Sequence, residues 1–456
     1  MKKKLFSSVA LAVVGSLSLG TAAMAATVNG SGATFPQSFL ASATTGFRSA
    51  PAGAGHTVNY ANPGGGSGAG QTAFRNNTVD FAGTDSALTA ANTPTFGWVY
   101  VPYVAGAIAV AYKLDELGGA TLSLSPQTIN GIFGGTITKW NDPSIANDLK
   151  SSPTWTNKKK RTDLKGATAL VANGAPGSAS VTVSALPSLF KTAKGKSVEI
   201  VDAKSKKVLK KAAFNKAEVS ITFGAKAGVD YSVRLDGKEI AVFAETNVTL
   251  PNKDIIVVYR SDGSGTTNNF CNYIRNAANS DWVANNAFTS CIPGGSARVA
   301  SFGGRFQGQS GSANVSNYIA DTNGTIGYTE VSFVTDPTRA AKGMKAANVR
   351  NAAGRYAAPT SANANSFLGG SNWDLNTGFA TFNFQQATNT TAYPIIAVTY
   401  FLAKTARSEN NAVVQAFAKW IIEDFGPKNA EALGYVPLTG RPAEIALAQI
   451  AKINSI

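Results

Sequence analysis

Between Ser151 and about Leu250 the chain changes texture, and no other feature constrains its architecture as much. On either side of that block, short apolar runs alternate with Gly-rich turns and helical patterns. Val58–Tyr60 reads as a strand, Gln71–Asn76 as the start of a helix, Val79–Gly83 as a strand and Val101–Tyr112 as a buried strand. The pattern resumes with a strand at Ile255–Tyr259, followed by a polar turn and a helix. Strands alternating with helices imply an α/β sheet with helical crossovers. The block itself alternates at period two, in Ser180–Val183, Ser197–Val201, Glu218–Phe223, Tyr231–Leu235 and Ile240–Phe243. Asp236-Gly237 is a hairpin signal between the last two. Five or six strands in about 100 residues read as a small all-β sandwich, with Lys158–Arg161 as an exposed linker at its entry. Near the end, Val413, Phe417, Trp420 and Ile421 share one helix face, and Gly426-Pro427 is expected to stop that helix. Pro442 opens a last helix carrying Ile445, Leu447, Ile450 and Ile453.

Charge follows the same division. Lys150 to Lys253 holds about 19 basic and about 8 acidic residues, most of the net +15 of all 456 residues. Lys2–Lys4 supply nearly all the rest, so the remaining chain is close to neutral. A nucleic-acid binder is not implied by such a distribution. The block's lysines suit a solvated face, or an adhesive surface for an anionic cell-wall polymer. A hydrophobic share of 44% excludes a wholly disordered chain. One His and two Cys leave too few ligands for a zinc site, and a Ser–His–Asp triad could use only His56.

Lys2–Lys4, the apolar Leu5–Leu19 and Ala23-Met24-Ala25 form a secretory leader, residues 1–25, cleaved before Ala26. No Cys lies near the cleavage site, so lipid anchoring is not expected. Export to the periplasm or cell surface permits a disulfide, and the even count pairs Cys271 with Cys291.

Three small-residue turns follow strands: Gly30-Ser31-Gly32-Ala33-Thr34-Phe35-Pro36, Gly66-Ser67-Gly68-Ala69-Gly70 and Arg260-Ser261-Asp262-Gly263-Ser264-Gly265-Thr266-Thr267. Helix starts expose N–H groups, Gly admits an anion close to the backbone, and hydroxyls and an Arg add donors. With Asp85 these turns point to an oxyanion site. They are not a nucleotide P-loop, since no GxxxxGK[ST] occurs.

The chain resembles the extracytoplasmic phosphate-binding proteins of high-affinity phosphate ABC importers. The resemblance is carried by GSGATFP (30–36), GGGSGAG (64–70), NNTVDFAGTDSAL (76–88), INGIFGGTITKWNDPSIA (129–146), VVYRSDGSGTTNNF (257–270), GTIGYTEVSF (324–333), YPIIAVTYFL (393–402) and LGYVPL (433–438). It implies a type II periplasmic-binding-protein fold with two hinged lobes, 26–106 with 390–456 and 107–150 with 251–389. The basic β-rich block 151–250 is then an insert where the family has a short connection. The implied phosphate ligands are Thr34, Phe35 through its backbone N–H, Ser67, Asp85, Arg260, Ser264, Gly265 and Thr266, with Asp262 positioning the Arg. The implied function is capture of inorganic phosphate by a monomer and delivery to a membrane permease, with no cofactor, metal or catalysis. A surface-adhesion protein using the insert is the alternative.

Overall fold

The structure, a computed structural model, describes residues 25–151, 155–159, 167–173, 178–226, 229–245 and 248–456. Apart from Ala25 the expected leader lies outside the described residues, as do Lys160 and Arg161. The main sheet is ten-stranded. Its spine comprises β1 (Thr27–Gly32), β2 (Thr57–Gly65), β3 (Phe81–Thr84), β4 (Trp98–Lys113), β5 (Ile256–Arg260), β6 (Phe306–Gln309), β7 (Thr325–Glu330) and β8 (Ile396–Lys404). These run in the order β6-β5-β7-β4-β8-β3-β1-β2. β4 has 16 residues, and Val101–Tyr112 is buried throughout, as its unbroken apolar run requires. Trp98–Ala107 pairs antiparallel with β8, and Ile108–Lys113 pairs antiparallel with β7. The change of partner divides the sheet into two lobes. One holds β1, β2 and β3 in parallel, the other β5, β6 and β7 in parallel.

The helices that matter for the site are α1 (Gln37–Ser49), α2 (Gly66–Arg75), α3 (Gly265–Ala277) and α4 (Gly311–Asp321), with α5 (Glu409–Trp420) behind the first lobe. α1 buries Phe39, Leu40, Ala43 and Phe47, a face of spacing three to four. Each large apolar side chain so buried contributes about 1.5–3 kcal/mol. Gly426-Pro427 does not stop α5. The chain continues through a wide π turn, Ile421–Phe425, into a short helical turn, Gly426–Asn429. Pro427 sits in the first positions of that turn, where its missing N–H leaves no bond unmade.

The block after Ser151 has more strands than its alternation suggests. Trp155–Lys159, Ser197–Asp202, Val208–Ala213, Tyr231–Leu235 and Lys238–Glu245 form a five-stranded sheet. Ala167–Asn173, Ser178–Ala185 and Glu218–Gly224 form a three-stranded one. Trp155–Lys159 is thus a strand pairing Lys238–Glu245, and the expected linker at Lys158–Arg161 is overturned where it is described. The hairpin at Asp236-Gly237 is present, with φ of 52° and 75° at its two central residues. Inner-face residues of both sheets, among them Val181, Val183, Ile200, Phe223, Val233 and Phe243, form a core of their own. The flanks of the block are zipped together. Ile255 N–H donates to Thr138 O and Trp140 N–H to Lys253 O, each at 2.9 Å, and Lys139 pairs with Asp254 at 2.8 Å.

The bridge expected between Cys271 and Cys291 is not formed. Both are free, buried thiols. Cys271 hydrogen-bonds with Cys291, and Cys291 Sγ donates to Asn285 O at 3.1 Å. The packing of α3 against the short helix Phe288–Cys291 brings the two sulfurs together, and hydrogen bonds rather than a bridge satisfy the thiols.

Candidate functional site

The site lies at the carboxyl ends of parallel strands from both lobes, the edge of an α/β sheet where ligands are held. Thr34 follows β1, Ser67 opens α2 directly after β2, and Asp85 follows β3. Arg260 is the last residue of β5, and Ser264 caps α3, its Oγ accepting from Thr267 N–H at 3.1 Å. Gly265 and Thr266 form the first turn of α3, so their N–H groups make up the positive end of a helix of 13 residues. Thr266 Oγ1 is buried and has no hydrogen-bond partner among the described residues.

Arg260 is only 2% exposed. Its Nε donates to Asp262 Oδ1 at 2.6 Å and a terminal nitrogen donates to Asp262 Oδ2, a bidentate pair. The other terminal nitrogen donates to Ser312 Oγ at 3.1 Å. Asp262 also accepts from Gly311 N–H at 2.9 Å. Burial works against the Arg260 charge, but the Asp262 bonds and charge outweigh it and hold the guanidinium above its usual range. Burial likewise pushes Asp262 up, and the Arg260 bonds pull it below the usual carboxylate range.

Asp85 is 3% exposed, and among the described residues no cation bonds it directly. Thr399 Oγ1 donates to Oδ1 at 2.9 Å and Ser67 Oγ to Oδ2 at 3.3 Å, while Asp85 N–H donates to Ser67 Oγ at 3.1 Å. Burial raises its carboxyl to about 7, against the lowering effects of Thr399, Arg260 and Ser67.

The lobes meet across these groups. Thr34 Oγ1 and Ser312 Oγ are 3.0 Å apart, and Ser312 N–H donates to Thr34 Oγ1 at 3.3 Å. Gly68 N–H donates to Gly263 O at 2.8 Å, and Asn269 Nδ2 to Asp85 O at 2.6 Å. Glycine is required where they touch. Gly66 has φ +86°, and a Cβ there would lie 2.4 Å from Asp262 Oδ2. A Cβ on Gly265 would lie 2.6 Å from Ser67 Oγ and 2.7 Å from Asp85 Cβ.

Thr34, Ser67, Asp85, Arg260, Asp262, Ser264, Gly265 and Thr266 are therefore brought to one locus. The Phe35 side chain is not part of it. It is buried in the core, edge-on to Tyr435 at 5.8 Å, and its carbonyl accepts from Tyr435 OH at 2.7 Å. The sequence reading missed Ser312, Thr399 and Asn269. Gly308-Gln309-Ser310-Gly311-Ser312 carries the small-residue signal of the other three turns and could have been found. Thr399 lies inside the apolar β8, where nothing local marks it.

A cavity of about 490 Å³ opens beside the site, lined by Asp85–Thr89, by Asn268, Asn269, Asn272 and Asn276 of α3, and by Phe379–Phe382 and Phe384. Of the groups just described, only Asp85 and Asn269 line it. Among the described residues no cluster of His, Cys, Asp and Glu could hold a metal ion, and no helix is long and apolar enough to cross a membrane.

A curated phosphate-binding protein PstS of Xylella fastidiosa is 23% identical over 415 residues, covering 90% of this chain and 81% of its own. One of Haemophilus influenzae is 25% identical over 436 residues, covering 94% and 93%. A solved high-affinity periplasmic phosphate-binding protein, PfluDING bound with phosphate, superposes with a TM-score of 0.53 at 18% identity, over 91% of this chain and 92% of its own. That likeness supports the two-lobed fold. The family model of the PBP superfamily domain matches residues 19–246 and 236–424, which together span most of the sequence. The chain belongs to the PBP superfamily.

Proposed function

We propose that this protein binds inorganic phosphate between its lobes and delivers it to an ABC-type permease. One observation carries the reading: a buried carboxyl, Asp85, shares a cleft with a buried guanidinium, Arg260, and a helix start at Gly265-Thr266. Donors alone suit any oxyanion. A carboxylate among them suits one that keeps a proton, as phosphate does near neutrality and sulfate does not. The names of the similar proteins agree. In this reading Thr34, Ser67, Arg260, Ser264, Gly265 and Thr266 donate, with the Phe35 backbone beside Thr34. Asp85 accepts, and Asp262 holds the guanidinium in plane. The lobes are 26–106 with 390–456 and 107–150 with 251–389, and the protein is exported by its leader and binds without turnover. Calorimetric titration of the mature chain with phosphate and with sulfate is the test. Tight phosphate binding with weak sulfate binding is expected; equal affinities, or hydrolysis of phosphate esters, would reject the reading.

A further inference from the structure

Glu330 ends β7 and is 1% exposed. It is one more carboxyl group in a site whose cation is already engaged. Asp262 and Ser312 take all three guanidinium nitrogens of Arg260. Among the described residues no ion pair reaches Glu330. Its Oε2 accepts from Thr329 Oγ1 at 3.3 Å, it hydrogen-bonds with Ser312, and its Oε1 is buried without a partner. The charged and titratable groups facing it are Arg260 and Asp85 across the site and Tyr435 from the C-terminal segment. An ionised carboxylate so placed is a buried charge without its own cation, beside an anion-binding cleft. A neutral acid accepts with one oxygen and carries its proton on the other, and Oε1 is the oxygen no donor approaches. Burial accordingly raises this carboxyl to about 8.

We propose that Glu330 is a positioning residue that keeps its proton while the site takes up an oxyanion, steadying Ser312 and through it Thr34 and Arg260, and that its ionisation sets the alkaline limit of binding. The proposal rests on the phosphate reading. A bound anion raises the acid's proton affinity further. Above about pH 8 binding then requires proton uptake, so affinity falls by up to about tenfold per pH unit. Asp85 titrates lower and does not impose this fall on phosphate, because the ligand's own proton can fill the Asp85 hydrogen bond.

The test is phosphate calorimetry on the mature chain and on Glu330→Gln from about pH 6.5 to 9.5, with infrared difference spectra of both and of Asp85→Asn. Gln imitates the neutral acid. Glu330→Gln should bind within about threefold of wild type at pH 7 and lose the alkaline fall. A carboxylic-acid carbonyl band should survive at pH 7 in Asp85→Asn and disappear from that variant with a midpoint near pH 8, whereas wild type also loses the Asp85 band near pH 7. A wild-type alkaline fall in Glu330→Gln overturns the proposal and leaves the phosphate reading intact. So does a folded Glu330→Gln weakened more than tenfold at pH 7. Should Glu330→Gln not fold, the infrared band decides, and its absence at pH 7 overturns the proposal. Failure of wild type to bind phosphate at any pH overturns both.

Discussion

In the proposed phosphate reading, Asp85 and Arg260 divide the work of recognition between them, and the division can be measured. Arg260 and the hydroxyl and N–H donors attract every tetrahedral oxyanion alike. Arg260→Ala should weaken phosphate and sulfate together, by about 2–5 kcal/mol, because the charge it removes is desolvated. Asp85→Asn should instead shrink the preference for phosphate over sulfate at least about tenfold, or about 1.4 kcal/mol. The Asn amide offers sulfate a donor where the carboxylate offers repulsion. The carboxyl at about 7 adds a sign. Sulfate can occupy the site only when Asp85 is protonated, so its affinity should be level below pH 7 and fall about tenfold per unit above it. Phosphate brings its own proton and should change little between pH 7 and 8. Titrations of wild type and Asp85→Asn at both values check this, and a selectivity independent of pH would remove Asp85 from its role. Stability carries the same sign. Both Asp85 and Glu330 are raised, so the folded chain holds more protons than the unfolded one between their ordinary values and about 7 and 8. The ligand-free melting temperature should therefore fall as pH rises through that window, and fall less in Asp85→Asn. The residues at this scale were legible where Gly, Ser and Thr cluster around a lone charge. Glu330 and Thr399 were not: each lies in a buried strand whose local sequence marks no site, and Thr399 meets Asp85 only when the packed sheet sets their strands side by side.

At the scale of elements, what counts is how closely two turns can approach. The first turn of α3 rests on Ser67 and the backbone of Asp85, with no room for a side chain at position 265. Gly265→Ala puts a Cβ against buried Ser67 and Asp85, so it should lose about 1–3 kcal/mol of stability and also lose phosphate affinity by about a hundredfold, near 2.7 kcal/mol. Calorimetry beside a thermal melt separates the two effects; unchanged affinity would mean the turns need not touch. The α/β texture, the buried β4 and the hairpin at Asp236-Gly237 were all readable, because period, apolar run length and turn chemistry are local. The π turn after α5 was not. Pro427 signals a stop when read alone, but Ile421, Ile422 and Phe425 are buried and keep the chain coiled against the first lobe. Strand Val208–Ala213 likewise has no alternating pattern, being exposed along nearly its whole length at a sheet edge.

For the whole molecule, the block beyond Ser151 is attached by a narrow stem. Its core is separate from that of the lobes, and Thr138–Trp140 lies paired against Lys253–Ile255. Replacing residues 152–249 with a short linker should keep phosphate affinity within about tenfold of wild type, or about 1.4 kcal/mol. A folded variant that no longer binds phosphate would show that the block shapes the cleft. The lobes themselves are less separable. They share β4, a single rod whose first ten residues belong to one sheet neighbour and whose last six belong to another. Such a rod resists stretching and sideways shear, because either would break a row of ladder bonds at once. It yields to torsion, most readily at Ala107–Ile108, where the two ladders meet. In the proposed reading, release of a captured ion then has the mechanics of wringing rather than pulling apart: a few degrees per peptide unit, summed along the rod, swing the rims of the cleft apart while every strand keeps its register.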